Sequence, residues 1–229
     1  MTKPPRLDQL PLDFAPDPAT SRDDLIVSDP LSAAIAVIDR WPDWPSPVMI
    51  LAGPTGSGKS HLAAIWAQKA GAVTLLPLYV ELDALATAAA HPLLIEDVDR
   101  AGFDETALFH LINAVRANGR TMLMTTRLWP AAWPVKLPDL ASRLKAATTI
   151  EIGEPDDALL VQVLVKLFAD RQVAVDGRTL SYIVTRMERS LAAARQIVLR
   201  LDALAMARKS RITRTLAAEV LAEFDTGGE

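Results

Sequence analysis

Cysteine is absent from the 229 residues, which excludes disulfides and thiolate metal ligands and fits a reducing compartment. Only three histidines occur, scattered along the chain, so no histidine-rich metal site is indicated. No apolar run approaches the ~18 residues of a membrane span. The opening "MTKPPRLDQL" lacks the apolar core of a signal peptide. An excess of positive charge is also missing: 24 Lys and Arg stand against 28 Asp and Glu. Free nucleic acid is therefore not the obvious partner of the surface as a whole. These absences lead to the expectation of a soluble cytoplasmic protein. Half the residues are hydrophobic and 23% are charged, a globular composition with enough length for a real core.

Residues 1–20 hold Pro4, Pro5, Pro11, Pro16 and Pro18 and read as a flexible tail. Inside it, "QLPLDF" (9–14) places Leu10, Leu12 and Phe14 at every second position. That alternation puts three large apolar groups on one face of an extended peptide, as suits binding in a groove. Pro11 restricts the free peptide and lowers the entropy lost on ordering.

Beyond the tail, "DPLSAAIAVIDRW" (29–41) has helical spacing. Strand signals follow near 48–51, 73–80, 92–98, 121–126 and 148–152. Helical signals lie between them, at 59–71 and 104–119, with Asp104 as a cap and Gly71 and Gly119 as stops. The alternation predicts an α/β fold, a five-stranded parallel sheet covered by helices on both faces. From Glu154 strand signals cease. Four helical stretches follow near 155–170, 176–187, 190–208 and 213–224, with Asp176, Ser190 and Thr213 as N-caps. The chain thus divides into a tail (1–20), an α/β domain (21–153) and a small all-helical domain (154–229).

"GPTGSGKS" (53–60) matches G-x-x-x-x-G-K-[ST] between a strand and a helix. Gly53, Pro54, Thr55, Gly56, Ser57 and Gly58 form a loop whose amides surround phosphate oxygens at a helix N-terminus. Lys59 reaches the β- and γ-phosphates, and Ser60 contacts Mg²⁺. A neighbouring strand end supplies acids in "LLIEDVD". Glu96 stands at the Mg²⁺-holding position, where Asp is usual, and Asp97 stands where water is polarised. ATP or ADP with Mg²⁺ is the expected cofactor.

This arrangement resembles the AAA+ ATPases, a P-loop sheet followed by a helical lid. "GPTGSGKSHL", which adds His61 to the loop, looks like the phosphate loop of the replication initiator DnaA. "LPDLASRL" (137–144) is similar to the segment that carries the arginine finger in the Hda family of DnaA-related regulators. "ITRTLAAEVL" (212–221) looks like the family's last lid helix. The resemblance implies that Arg143 is a finger offered in trans, and that Gln9, Leu10, Leu12 and Phe14 bind the DNA polymerase sliding clamp. It implies a nucleotide-bound body, with ADP favoured, that stimulates ATP hydrolysis by DnaA and represses re-initiation of DNA replication near the nucleoid. DNA is then met indirectly through the clamp, and a homo-oligomer is left open. The chain stops at Glu229 without the initiator's helix-turn-helix domain, and residues 81–92 are too few for its single-strand-binding helices.

By the same resemblance Leu25, Ile26 and Val27 line the adenine pocket, and Thr126 takes the first sensor position. The second sensor position falls on Ala192, with Arg189 and Arg195 about one turn to either side as substitutes. Residues 171–214 carry ten Lys or Arg against three acids, read first as a solvated surface. Trp41, Trp44, Trp129 and Trp133 read as loop-packing residues. Two rival functions are kept: a self-sufficient ATPase or remodeller, and a nucleotide-binding scaffold without catalytic input.

Overall fold

The apolar run at Val48–Ala52 forms strand β1, buried along its whole length. In the computed structural model, which describes residues 29–76, 83–99 and 104–226, it lies between β4 (Met122–Thr126) and β5 (Thr148–Glu151). β3 (Leu93–Ile95) pairs with β4, and β2 (Val73–Leu75) closes the far edge. All pairs are parallel, in the order β2-β3-β4-β1-β5.

Alternation along the strands sorts side chains to two faces. Val48, Ile50, Leu93, Ile95, Met122 and Met124 enter one apolar core, covered by α3 (Ala84–Ala90), α4 (Glu105–Ala117) and α5 (Pro138–Ala146). Met49, Leu51, Leu94 and Leu123 enter the other, beneath α1 (Asp29–Arg40) and α2 (Lys59–Ala70). A buried sheet with helices on both faces is the predicted α/β arrangement.

A third core belongs to the helical domain: α6 (Asp157–Asp170), α7 (Gly177–Val184), α8 (Leu191–Arg208) and α9 (Arg214–Thr226). Each start has a chemical cause. Asp156, Asp176 and Ser190 accept hydrogen bonds from first-turn amides of α6, α7 and α8. Thr213 Oγ1 accepts one from Leu216 N at 3.3 Å ahead of α9. The helical domain is not detached from the sheet. Leu159, in the first turn of α6, is buried in the α1–α2 core, and Leu191 packs against it.

One expectation needs correction. The second strand, expected over 73–80, covers Val73–Leu75, and residues 77–80 of that expectation lie outside the described residues. Between the second and third strands lies α3, whose "ALATAAA" is rich in the strongest helix former. The indoles do mixed work. Trp133 is buried, Trp44 stacks on Trp66 with centroids 5.2 Å apart, and Trp41 Nε1 donates to Thr121 Oγ1. Trp129 remains 46% exposed.

Because Leu164 is fully buried in the helical-domain core, Leu164→Ala should lower unfolding stability by about 2–5 kcal/mol. Urea denaturation measures this; a loss below ~1 kcal/mol would show that the third core is not packed as described.

Candidate functional site

Parallel pairing brings the strand ends that matter to one edge. Met124 is level with both Ile50 and Ile95, so β1 and β3 flank β4 at the same height. The phosphate loop leaves β1 at Gly53, and the acids leave β3 at Glu96, on either side of the β4 end. This is the crevice at the carboxyl ends of an open α/β sheet, where ligands bind.

The glycines of the loop are dictated by close approach. A Cβ at Gly53 would lie 2.3 Å from the Ile152 carbonyl oxygen. Gly56 has φ +75°, and a Cβ there would lie 2.3 Å from Ser190 Cβ. The loop therefore touches β5's exit on one side and the first turn of α8 on the other. Leu191 N donates to the Gly56 carbonyl at 2.8 Å, so a backbone hydrogen bond ties the helical domain to the loop. Gly58, also at positive φ, hands over to α2.

Lys59 is 5% exposed. Its ammonium donates to the Gly53 and Pro54 carbonyls, both at 2.7 Å. Burial holds its pKa below the ordinary lysine value; Asp97, Asp99 and Glu96 oppose that shift, and the Arg127 charge adds to it. Ser57 Oγ is buried and has no hydrogen-bond partner among the described residues. A buried ammonium and an orphaned buried hydroxyl suit phosphate oxygens. Ser60 is exposed at the start of α2, and Glu96 and Asp97 are half-buried. Among the described residues no group of three or more His, Cys, Asp or Glu could hold a metal. Ser60 with Glu96 and Asp97 would hold Mg²⁺ together with phosphate oxygens, the usual sharing for this cation.

The two acids after β3 differ from Asp99 in role. Asp97 has φ 50°, a left-handed conformation uncommon outside glycine, and its N–H donates to Thr125 Oγ1 at 3.0 Å. Asp99 Oδ2 accepts from Arg127 N and Leu128 N, so this carboxylate holds the turn after β4. Thr126 is fully buried. Its hydroxyl donates to the Leu128 carbonyl at 2.8 Å and accepts from Trp133 Nε1 at 3.2 Å. The single proton of this hydroxyl is thus engaged within the turn. Arg127, the next residue, is exposed and close enough for Lys59 to feel its charge. It was not singled out from the sequence. The available signal was its place directly after β4, the neighbour of the phosphate-loop strand.

The two lid arginines separate clearly. Arg189 pairs with Asp157 at 2.9 Å, within the helical domain. Arg195 Nη2 donates to His61 Nδ1 at 3.2 Å, spanning from α8 to α2. Ala192 is exposed. Of the substitutes named for the second sensor, Arg195 is the one in contact with the phosphate-loop helix.

Arg143 sits on α5, half-buried. Among the described residues its side chain makes no hydrogen bond or ion pair. Gln9, Leu10, Leu12, Phe14, Leu25, Ile26 and Val27 lie outside the described residues.

No family model matches the chain. An uncharacterized protein of Haemophilus influenzae is 28% identical over 162 residues, 65% of this chain and 70% of its own length. The chromosomal replication initiator protein DnaA of Thermomicrobium roseum is 27% identical over 217 residues, 85% of this chain but 46% of its own. The chain thus spans about half the length of that initiator. Domain III of Thermotoga maritima DnaA superposes with a TM-score of 0.75 at 16% identity, covering 91% of this chain and 98% of that one. AMPPCP-bound DnaA from Aquifex aeolicus superposes with a TM-score of 0.70 at 15% identity, covering 81% and 66%. The fold is therefore the AAA+ fold of DnaA domain III. Among the described residues no helix is long and apolar enough to cross a membrane.

Phosphate binding should be linked to protonation of Lys59. An anion beside the ammonium raises the lowered pKa. Nucleotide affinity is then full below the free-protein pKa and is lost as pH rises through it, by up to about tenfold per pH unit. Titration with ADP between pH 7 and 10 measures the slope. Lys59→Ala should weaken binding and flatten the alkaline loss; an unchanged slope would remove Lys59 from the site.

Proposed function

We propose that this chain is a nucleotide-bound AAA+ regulator that completes the ATPase site of a second AAA+ protein, the replication initiator DnaA. The observation that carries this reading is Arg143. It stands half-buried on α5 with no side-chain partner among the described residues, in a segment, "LPDLASRL", like that of the Hda family. A guanidinium with free donors is the group that stabilises charge developing on a transferring phosphoryl. An arginine locked in an internal ion pair would not be available for this.

The chain's own nucleotide, ADP in this reading, sits on Gly53–His61 beneath the helical domain. Lys59 binds its phosphates, and Ser60, Glu96 and Asp97 hold its Mg²⁺. Arg195 links the lid to α2 through His61, so the second sensor role passes from Ala192 to Arg195. Bound nucleotide then fixes the body that presents Arg143. The tail peptide "QLPLDF" docks on the sliding clamp and brings this body to DnaA on DNA. ATP on the initiator becomes ADP, and re-initiation is repressed. AMPPCP-bound DnaA shares the fold, which supports nucleotide binding at the same loop.

A second reading is hydrolysis by the chain itself. It is favoured by the charges of Asp97 and Glu96 acting on Lys59. Turnover of ATP by the purified chain, at a rate that no partner raises, would favour it.

The direct test is hydrolysis of DnaA-bound ATP with and without DNA-loaded clamp. Wild type should stimulate it only with clamp present. Arg143→Ala should reduce stimulation by roughly 10³-fold or more while clamp binding persists. Leu12→Ala with Phe14→Ala should abolish clamp binding. Stimulation unchanged in Arg143→Ala would refute the finger role.

A further inference from the structure

The stretch 171–214 has ten cationic side chains and three acids. The structure divides the ten into two sets. Arg171, Arg189, Arg200 and Arg208 pair with Asp202, Asp157, Glu223 and Glu219. Arg195 is engaged with His61. The remaining five, Arg178, Arg186, Lys209, Arg211 and Arg214, are exposed and have no acidic partner among the described residues.

Tyr182 brings two of these five together. The guanidinium of Arg186 lies 4.1 Å from its ring centroid and that of Arg214 lies 4.6 Å from it. Arg186 follows α7 and Arg214 opens α9, so two elements deliver like charges to one ring. The ring attracts each cation, yet the cations repel one another. Arg178 stands one turn before Tyr182 on the same face of α7. Lys209 and Arg211 occupy the turn that leads from α8 into Arg214. The nearest acids are otherwise disposed: Asp176 accepts from Arg178 N, Thr179 N and Thr179 Oγ1, and Glu188 lies beyond Arg186 in the turn before α8.

An anion is the missing partner, and the pattern favours a polyanion over a protein. Protein interfaces centre on apolar anchors. Among the described residues α7 has no large exposed apolar side chain, and Tyr182 is half-buried under its two arginines. Phosphates of a duplex, one per about 1.7 Å of axis, match several separated cations that no carboxylate holds. We propose that this face of the helical domain binds the phosphate backbone of duplex DNA directly and without sequence preference. The net charge of −4 then turns the rest of the surface away from the duplex. The face is independent of Arg143 and of the tail, so it stands or falls apart from the function proposed above.

The test is fluorescence anisotropy of a labelled duplex of arbitrary sequence with the full chain alone, across a salt series from about 50 mM upward. Wild type should bind, with log affinity falling against log salt by about 0.9 for each phosphate contact, hence by about 2.7 to 4.5 for three to five contacts. Arg186→Ala with Arg214→Ala should weaken binding at least about tenfold and flatten the slope by about two. Should that variant unfold, Arg178→Ala tests the same face, because its side chain has no hydrogen bond or ion pair among the described residues; it should flatten the slope by about one. Arg200→Ala, outside the face, should leave the slope unchanged. No binding by wild type at the lowest salt, an unflattened slope in the folded variants, or a single strand bound more tightly than the duplex would overturn the proposal.

Discussion

A backbone hydrogen bond, from Leu191 N to the Gly56 carbonyl, joins the two parts of this molecule at the point where a phosphate would sit. Gly56 is at positive φ with Ser190 directly against it, so there is no room for a side chain. Ser190 uses its hydroxyl to cap α8 by accepting from Ala193 N. The same two residues therefore start the longest helix of the lid and seat it on the loop. The geometry of the loop cannot change without moving α8, and α8 carries Arg195 to His61 on the loop's own helix. An anion bound in the loop would therefore lie beside the seat of α8.

Electrostatics fit that arrangement. Lys59 is buried with its charge directed at two carbonyls, a tolerable but incomplete solvation for an ammonium. Glu96, Asp97 and Asp99 offset its burial, and Arg127 adds a second positive charge. The Lys59 ammonium faces the loop, and the acids that leave β3 are close enough to act on it. Arg143 belongs to another part of the surface. The group that would receive a phosphate and the group that would act on a partner's phosphate are thus on different elements, α2 and α5.

Much of the fold was legible because it depends on local rules. The apolar runs at 48–51 and 121–126 became central strands, since a strand buried on both faces has no room for polar residues. The caps at Asp104, Asp176 and Ser190 acted as their side chains suggest. The phosphate loop announced itself by glycine spacing and context. Other features depend on distant contacts that spacing does not encode. Ser190 read as a cap, and nothing local marked it as the residue that closes on Gly56. Thr126 read as a polar contact for a phosphate, but its hydroxyl is engaged with Leu128 and Trp133. Arg189 and Arg195 looked equivalent by spacing, and only the position of Asp157 and His61 separates them. The basic stretch 171–214 reads as a solvated surface, and nine of its ten cations are exposed; only the pairing of three of them with acids of α6 and α9 is invisible along the chain.

The central claim is that an anion in the loop secures sheet and lid together. The most direct measurement is the thermal unfolding midpoint of the purified chain as Mg²⁺-ADP is added. A ligand that binds only the folded state stabilises it by about 2.7 kcal/mol at one hundred times its dissociation constant. The account predicts a midpoint that rises with ADP concentration, in one transition that includes both domains. A midpoint unmoved by millimolar nucleotide, or a lid that melts separately at the same temperature with and without it, would contradict the account.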